Sequence, residues 1–118
     1  MLAHGAVLRK SFFSAEELEA IARDHRNAGL PPDEVAVMSF AEKVVLHAHE
    51  VTAEDIEELR RHGLSDEEIH DVALAAAARS FFSKALDAMG AEPDERFEDL
   101  EPRLREALSV GRPLRGKP

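Results

Sequence analysis

The chain has 118 residues, 24 of them acidic and 15 basic, for a formal net charge of −9, and it contains no cysteine. That length allows one domain and excludes a two-domain enzyme, and the negative charge repels nucleic-acid phosphates and anionic lipid alike. The absence of cysteine excludes disulfides, cysteine-ligated metal centres and any thiol chemistry carried out by these residues alone. With 6 Phe and neither Trp nor Tyr, the core must be built mostly from Leu, Val, Ile and Ala, which favours close-packed helices. The longest uninterrupted apolar run, Val72 to Ala78, has 7 residues, against the roughly 20 that a membrane span needs. The N-terminal MLAHGAVLRK has no basic region ahead of an apolar stretch and does not read as a signal peptide. The expectation is a cytoplasmic protein with neither a membrane nor a nucleic acid as partner.

Helix starts are marked by one device used three times. Ser14 with Glu17 is a capping box, in which the hydroxyl accepts from the backbone N–H three residues on and the carboxylate reaches back to the cap N–H; Phe13 and Leu18 stand at the flanking staple positions. Thr52 with Asp55, flanked by Val51 and Ile56, repeats it with Asp in place of Glu. Ser65 with Glu68, flanked by Leu64 and Ile69, repeats it in full. Gly29, Gly63 and Gly90 supply the stops, and Pro31 and Pro32 stand where a helix can begin but not continue. These signals predict an all-α fold of about five to six short helices, at about 2–11, 15–28, 32–50, 53–62 and 66–89.

Within 32–50, Val37, Phe40, Ala41, Val44, Val45 and Ala48 form a stripe with helical spacing that buries one face. The helix at 66–89 differs, since Val72 to Ala78 is apolar around its whole circumference. It is expected at the centre of the fold or against a partner subunit, so the chain is read as a homo-oligomer. Met38 and Met89 read as core residues.

After Gly90 the composition changes. Glu92 to Glu101 holds six acids and one base, Arg96, while residues 102–118 hold five bases and one acid. The expected organisation is a helical domain over 1–92 followed by an acidic and then basic segment over 93–118, partly helical or mobile.

Six histidines invite a metal reading, which their spacing does not support. His47 and His49 are two apart, about 200° around a helix, and cannot chelate one ion from a helical backbone. Glu67 and His70 make one Glu-x-x-His, the unit that di-iron bundles use in pairs, and there is no second copy. His25 and His62 lie in polar last turns, where a histidine complements the helix dipole. No phosphate-binding glycine loop, His-Glu-x-x-His or nucleophile-elbow serine is present. No cofactor and no metal are therefore expected. His4 is the exception worth isolating: it stands among Leu2, Ala3, Ala6, Val7 and Leu8, and by spacing alone it reads as a hydrogen-bonded core histidine.

The segments AHGAVLR, AIARDHRNAGL, FAEKV and DIEELRRHGLSDEEIHDVALAAAARSFFSKALDAMGAEPDE follow one another in the order of a known family. Over about residues 2–95 the chain resembles the second half of the peroxidase-related branch of the carboxymuconolactone decarboxylase and AhpD-like alkylhydroperoxidase superfamily, most specifically from Asp55 to Asp94. The resemblance implies an AhpD-like helical bundle, a thiol-dependent antioxidant oxidoreductase lineage acting on hydroperoxides, and oligomeric assembly. The family motif is Cys-x-x-Cys-x-x-x-His, and His4 is the residue that matches, as the proton-relay histidine. The second cysteine position then falls immediately before Met1. Two readings follow: the C-terminal portion of an AhpD-like peroxidase that is inactive alone, or a non-catalytic helical module for oligomerisation or partner binding. Carboxymuconolactone decarboxylation, which needs no cysteine pair, has no lactone-binding residues to support it here.

Overall fold

The computed structural model describes residues 1–111. Among them are six α-helices and no strand: α1 (Leu2–Ser11), α2 (Ala15–Asp24), α3 (Pro32–His47), α4 (Ala53–Arg61), α5 (Asp66–Ala88) and α6 (Pro102–Leu108). Short 3-10 turns occupy His25–Asn27, Ala48–Glu50 and Glu95–Asp99. The all-α expectation holds, and so do the helix starts. Ser14 Oγ accepts from Glu17 N at 3.1 Å while Glu17 Oε2 accepts from Ser14 N at 2.8 Å. Thr52 and Asp55 exchange the same pair of bonds at 3.4 and 2.7 Å, and Ser65 and Glu68 at 3.2 and 2.7 Å.

The end of α4 shows how the stops work. Gly63 takes φ +92°, its N–H donates to Arg60 O at 2.9 Å, and the Leu64 N–H donates to Leu59 O at 3.2 Å. This is the paired bonding that satisfies the last carbonyls of a helix, and it needs a residue free of Cβ strain at the left-handed position.

Two expected helices are shorter than their patterns. The segment 15–28 leaves the α conformation at Asp24, whose carboxylate accepts from Arg26 N at 3.1 Å and also from the Asn27 amide, so side-chain bonds replace the next helical turn. The segment 32–50 changes to a 3-10 turn after His47.

The contacts divide the chain into two units, which are described separately. The first comprises Met1–Ala28 and the stretch from Asp87 onward. Its core is Leu2 of α1, Leu18 of α2, Phe97, and Leu104 and Leu108 of α6, with Phe13 and Ala22 packed against it. Within residues 93–111, Phe97, Leu104 and Leu108 belong to this core, and Leu104 is only 1% exposed. Three of the five bases after residue 101, Arg112, Arg115 and Lys117, lie outside the described residues.

The second unit, Gly29–Leu86, is centred on Phe40 of α3, Leu59 of α4 and Ile69 of α5, with Val37, Val44, Ile56 and Val72 around them. The predicted stripe is covered from Val37 to Val44, with Phe40 buried, whereas Val45 near the end of α3 and Ala48 beyond it are exposed. Helix α5 is not enclosed as its composition suggests. Ile69, Val72, Ala73, Ala76 and Ser80 face inward or are partly covered, whereas Leu74, Phe81 and Phe82 are 55%, 74% and 49% exposed. No described helix is long and apolar enough to cross a membrane.

Candidate functional site

His4 lies in the first turns of α1. Its neighbours along the helix, Leu2 and Gly5, are buried, but its own side chain is exposed, and it has no hydrogen bond or ion pair among the described residues. The reading of His4 as a bonded core histidine is therefore corrected: one face of α1 is inward, and position 4 lies outside it. At the other end of the helix, Arg9 donates from Nε and Nη2 to Glu101 Oε1 at 2.9 and 2.7 Å, which holds the Glu101 carboxyl below its ordinary range. This ion pair, together with Leu108 packed on Gly5, holds α1 against α6. The result is a packed helix that presents the His4 imidazole to solvent.

No thiol accompanies it, since the chain has no cysteine. Sulfur is confined to methionine; Met89, expected in the core, is 76% exposed, because it lies just past the end of α5. The remaining histidines do not converge on a site either. His25 is buried, at 8% exposure, rather than lying in a solvated last turn. It stands in the 3-10 turn that Asp24 creates, a local break that periodicity does not reveal. His62 does sit at the end of α4, with Nε2 3.1 Å from Glu58 Oε1. Glu58 is held below its ordinary pKa by that bond and by Arg61. His47 and His49 have ring centroids 6.5 Å apart and are exposed, as are Glu67 and His70. Among the described residues, no group of three or more His, Asp or Glu is placed to hold a metal ion.

The most strongly perturbed carboxylate belongs to the scaffold. Asp55 Oδ2 accepts from Lys43 Nζ of α3 at 2.7 Å while it caps α4 through Thr52 N. These bonds, the Lys43 bond foremost, lower the Asp55 pKa from its ordinary 3.8 to about 2. Both side chains are about one-third exposed or less. The sequence marks Asp55 as a capping residue but gives no sign of Lys43 as its partner, since the two are 12 residues apart.

No protein-family model and no curated protein matches the chain. A solved structure does: the crystal structure of an alkylhydroperoxidase AhpD core, an uncharacterized peroxidase-related protein from Ralstonia eutropha JMP134, superposes with a TM-score of 0.73 at 33% identity. The match covers 81% of this chain and 50% of that one, so the present chain spans half the length of its structural relative. The chain has an AhpD-like alkylhydroperoxidase-type fold, as the order of its sequence segments implies.

Proposed function

We propose that the chain is the histidine-bearing helical half of an AhpD-like, peroxidase-related protein and that it does not turn over hydroperoxides by itself. The observation that carries this reading is the union of an AhpD-like fold with a sequence that has no cysteine. Thiol-dependent peroxide reduction needs a thiolate that attacks one peroxide oxygen, so that an S–O bond forms, the O–O bond breaks and an alkoxide leaves and takes a proton. A second thiol then displaces water from the sulfenic acid to form a disulfide, which a dithiol reductant reopens. Neither thiol is among these 118 residues. The step open to them is proton delivery to the departing alkoxide, for which His4, exposed and unpartnered, is the candidate. Such general-acid assistance is worth about 10²–10⁴-fold where a nucleophile is present.

A second reading, a non-catalytic module for assembly, is favoured by the exposed apolar face of α5. A coupled peroxide-reduction assay separates the two. The chain as it stands is expected to show no turnover. A version preceded by a segment that places one Cys directly before Met1 and another three residues earlier is expected to gain it and to lose most of it in His4→Ala. Turnover by the 118-residue chain would overturn the proposal, and an inert extended version would favour the assembly module.

A further inference from the structure

Helix α1 carries little stability of its own. It starts at Met1 without a side-chain cap, has no acid in its first turn and buries only Leu2 and Gly5, whereas α2 and α4 each begin in a capping box. Its 10 residues, with a glycine among them, fall short of the length at which a helix persists alone in water. The place of α1 therefore depends on what packs against it.

Much of that packing comes from the other end of the chain. Phe97, Leu104 and Leu108 share one core with Leu2 and Leu18, and the Leu108 methyls rest on the Gly5 backbone, where no Cβ intervenes, one residue from His4. Glu101 makes no capping bond to α6; its Oε1 accepts from Arg9 Nε and Nη2 instead. Arg103 stands 3.5 Å from Glu19 Oε1 of α2, a carboxylate that Arg23 also holds at 2.9 Å. The Arg105 guanidinium donates to Glu98 O at 2.8 Å, which ties α6 to the turn that carries Phe97. The segment 97–108 is thus a brace across α1 and α2, with apolar contacts and an ion pair to each. Glu101, Leu104 and Leu108 lie past residues 2–95, the stretch that carries the resemblance to the AhpD-like family.

We propose that Glu101 and Leu108 are positioning residues for His4: docked α6 holds α1 in the orientation that presents the imidazole, and release of α6 frees α1 and His4 together. The two contacts fall on Gly5 and Arg9, four residues apart and so on one face of α1. Two fixed points on one face set both the place of a helix and its rotation about its own axis. His4 follows that rotation, because it stands about 100° around the helix from Gly5. The proton-delivery consequence rests on the function proposed above, whereas the holding of α1 does not.

Native-state hydrogen exchange and the imidazole NMR signals of the intact chain test the holding. Leu108→Ala, which empties a buried contact, should lower the protection of the α1 amides by more than about tenfold. Glu101→Gln removes an exposed pair and should lower it about two- to fivefold. In both variants the α4 amides of the second unit should keep their protection, and the His4 signals should move while those of His49 stay in place. In an Arg9→Gln background, Glu101→Gln should change α1 no further. Should Leu108→Ala fail to fold, the Glu101→Gln and Arg9→Gln results decide.

In the thiol-bearing extended version, Glu101→Gln should lower kcat for a hydroperoxide about three- to tenfold with KM unchanged, and it should have no effect once His4 is replaced by alanine. A merely structural role for Glu101 would lower turnover in both backgrounds alike. Unchanged α1 protection, fixed His4 signals, or a Glu101→Gln loss that persists undiminished beside His4→Ala would overturn the inference. An extended version without turnover counts against the function proposed above, and the exchange and imidazole readouts then decide this inference by themselves.

Discussion

Gly5 of α1 and Leu108 of α6 occupy one another's space. A Cβ built on Gly5 would overlap Leu108 Cδ1 and stand 3.0 Å from Cδ2 and 3.2 Å from Cγ. Leu108 is 4% exposed and packed among Leu2, Leu18 and Leu104, so it has little room to retreat. The glycine beside His4 is therefore a packing requirement, and it lets α6 lie against α1.

Gly5→Ala should accordingly destabilise the protein. The gain in helix propensity, about 1 kcal/mol, is opposed by overpacking of about 1–3 kcal/mol, and the urea midpoint should fall. Leu108→Ala leaves a cavity, at about 2–5 kcal/mol. The double variant should cost clearly less than the sum, since each change accommodates the other. Additive losses would show that the two residues do not compete for the same space.

The parts of this fold that can be read from its sequence are local. A capping box needs residues three apart, and all three boxes appear in the structure with both of their bonds. The Gly63 stop needs one residue without a Cβ. What the sequence hides depends on distant partners or on competing side-chain bonds. Asp24 ends α2 early through its own carboxylate. Phe97 and Leu104 reach the core from a segment whose composition tells of a partly helical or mobile stretch but not of which residues dock. The apolar circumference of α5 tells equally of a central helix and of a helix with one face left for something else, and only packing distinguishes them. For the same reason His4 reads as inward among its apolar neighbours, whereas the rotation of α1 sets it outward.

Stability should depend on acid through Asp55. Its folded pKa, about 2, lies below the ordinary 3.8, so the carboxylate form is favoured by folding. The contribution is fully present above about pH 4 and is lost as pH falls through the folded value. Lys43 and the Thr52 cap both lose their acceptor on protonation. Between pH 5 and pH 2, Asp55→Asn should show a shallower loss of thermal stability than the parent chain, and its Tm should be lower at neutral pH. Parallel curves for the two proteins across that range would show that the α3–α4 link does not titrate.

His4→Ala should leave stability nearly unchanged. The imidazole is exposed and has no hydrogen bond or ion pair among the described residues, so truncating it removes no buried contact and orphans no polar group. Surface changes of this kind usually fall within about 0.5 kcal/mol, and alanine is if anything the better helix former. The urea midpoint and the helical circular-dichroism signal should match those of the parent. This matters for interpreting activity: when the fold is insensitive to the substitution, a loss of peroxide turnover in a thiol-bearing extended version reports on proton transfer rather than on folding. A drop of more than about 1 kcal/mol would instead mark His4 as a structural residue, and the proton-relay role proposed for it would lose its basis.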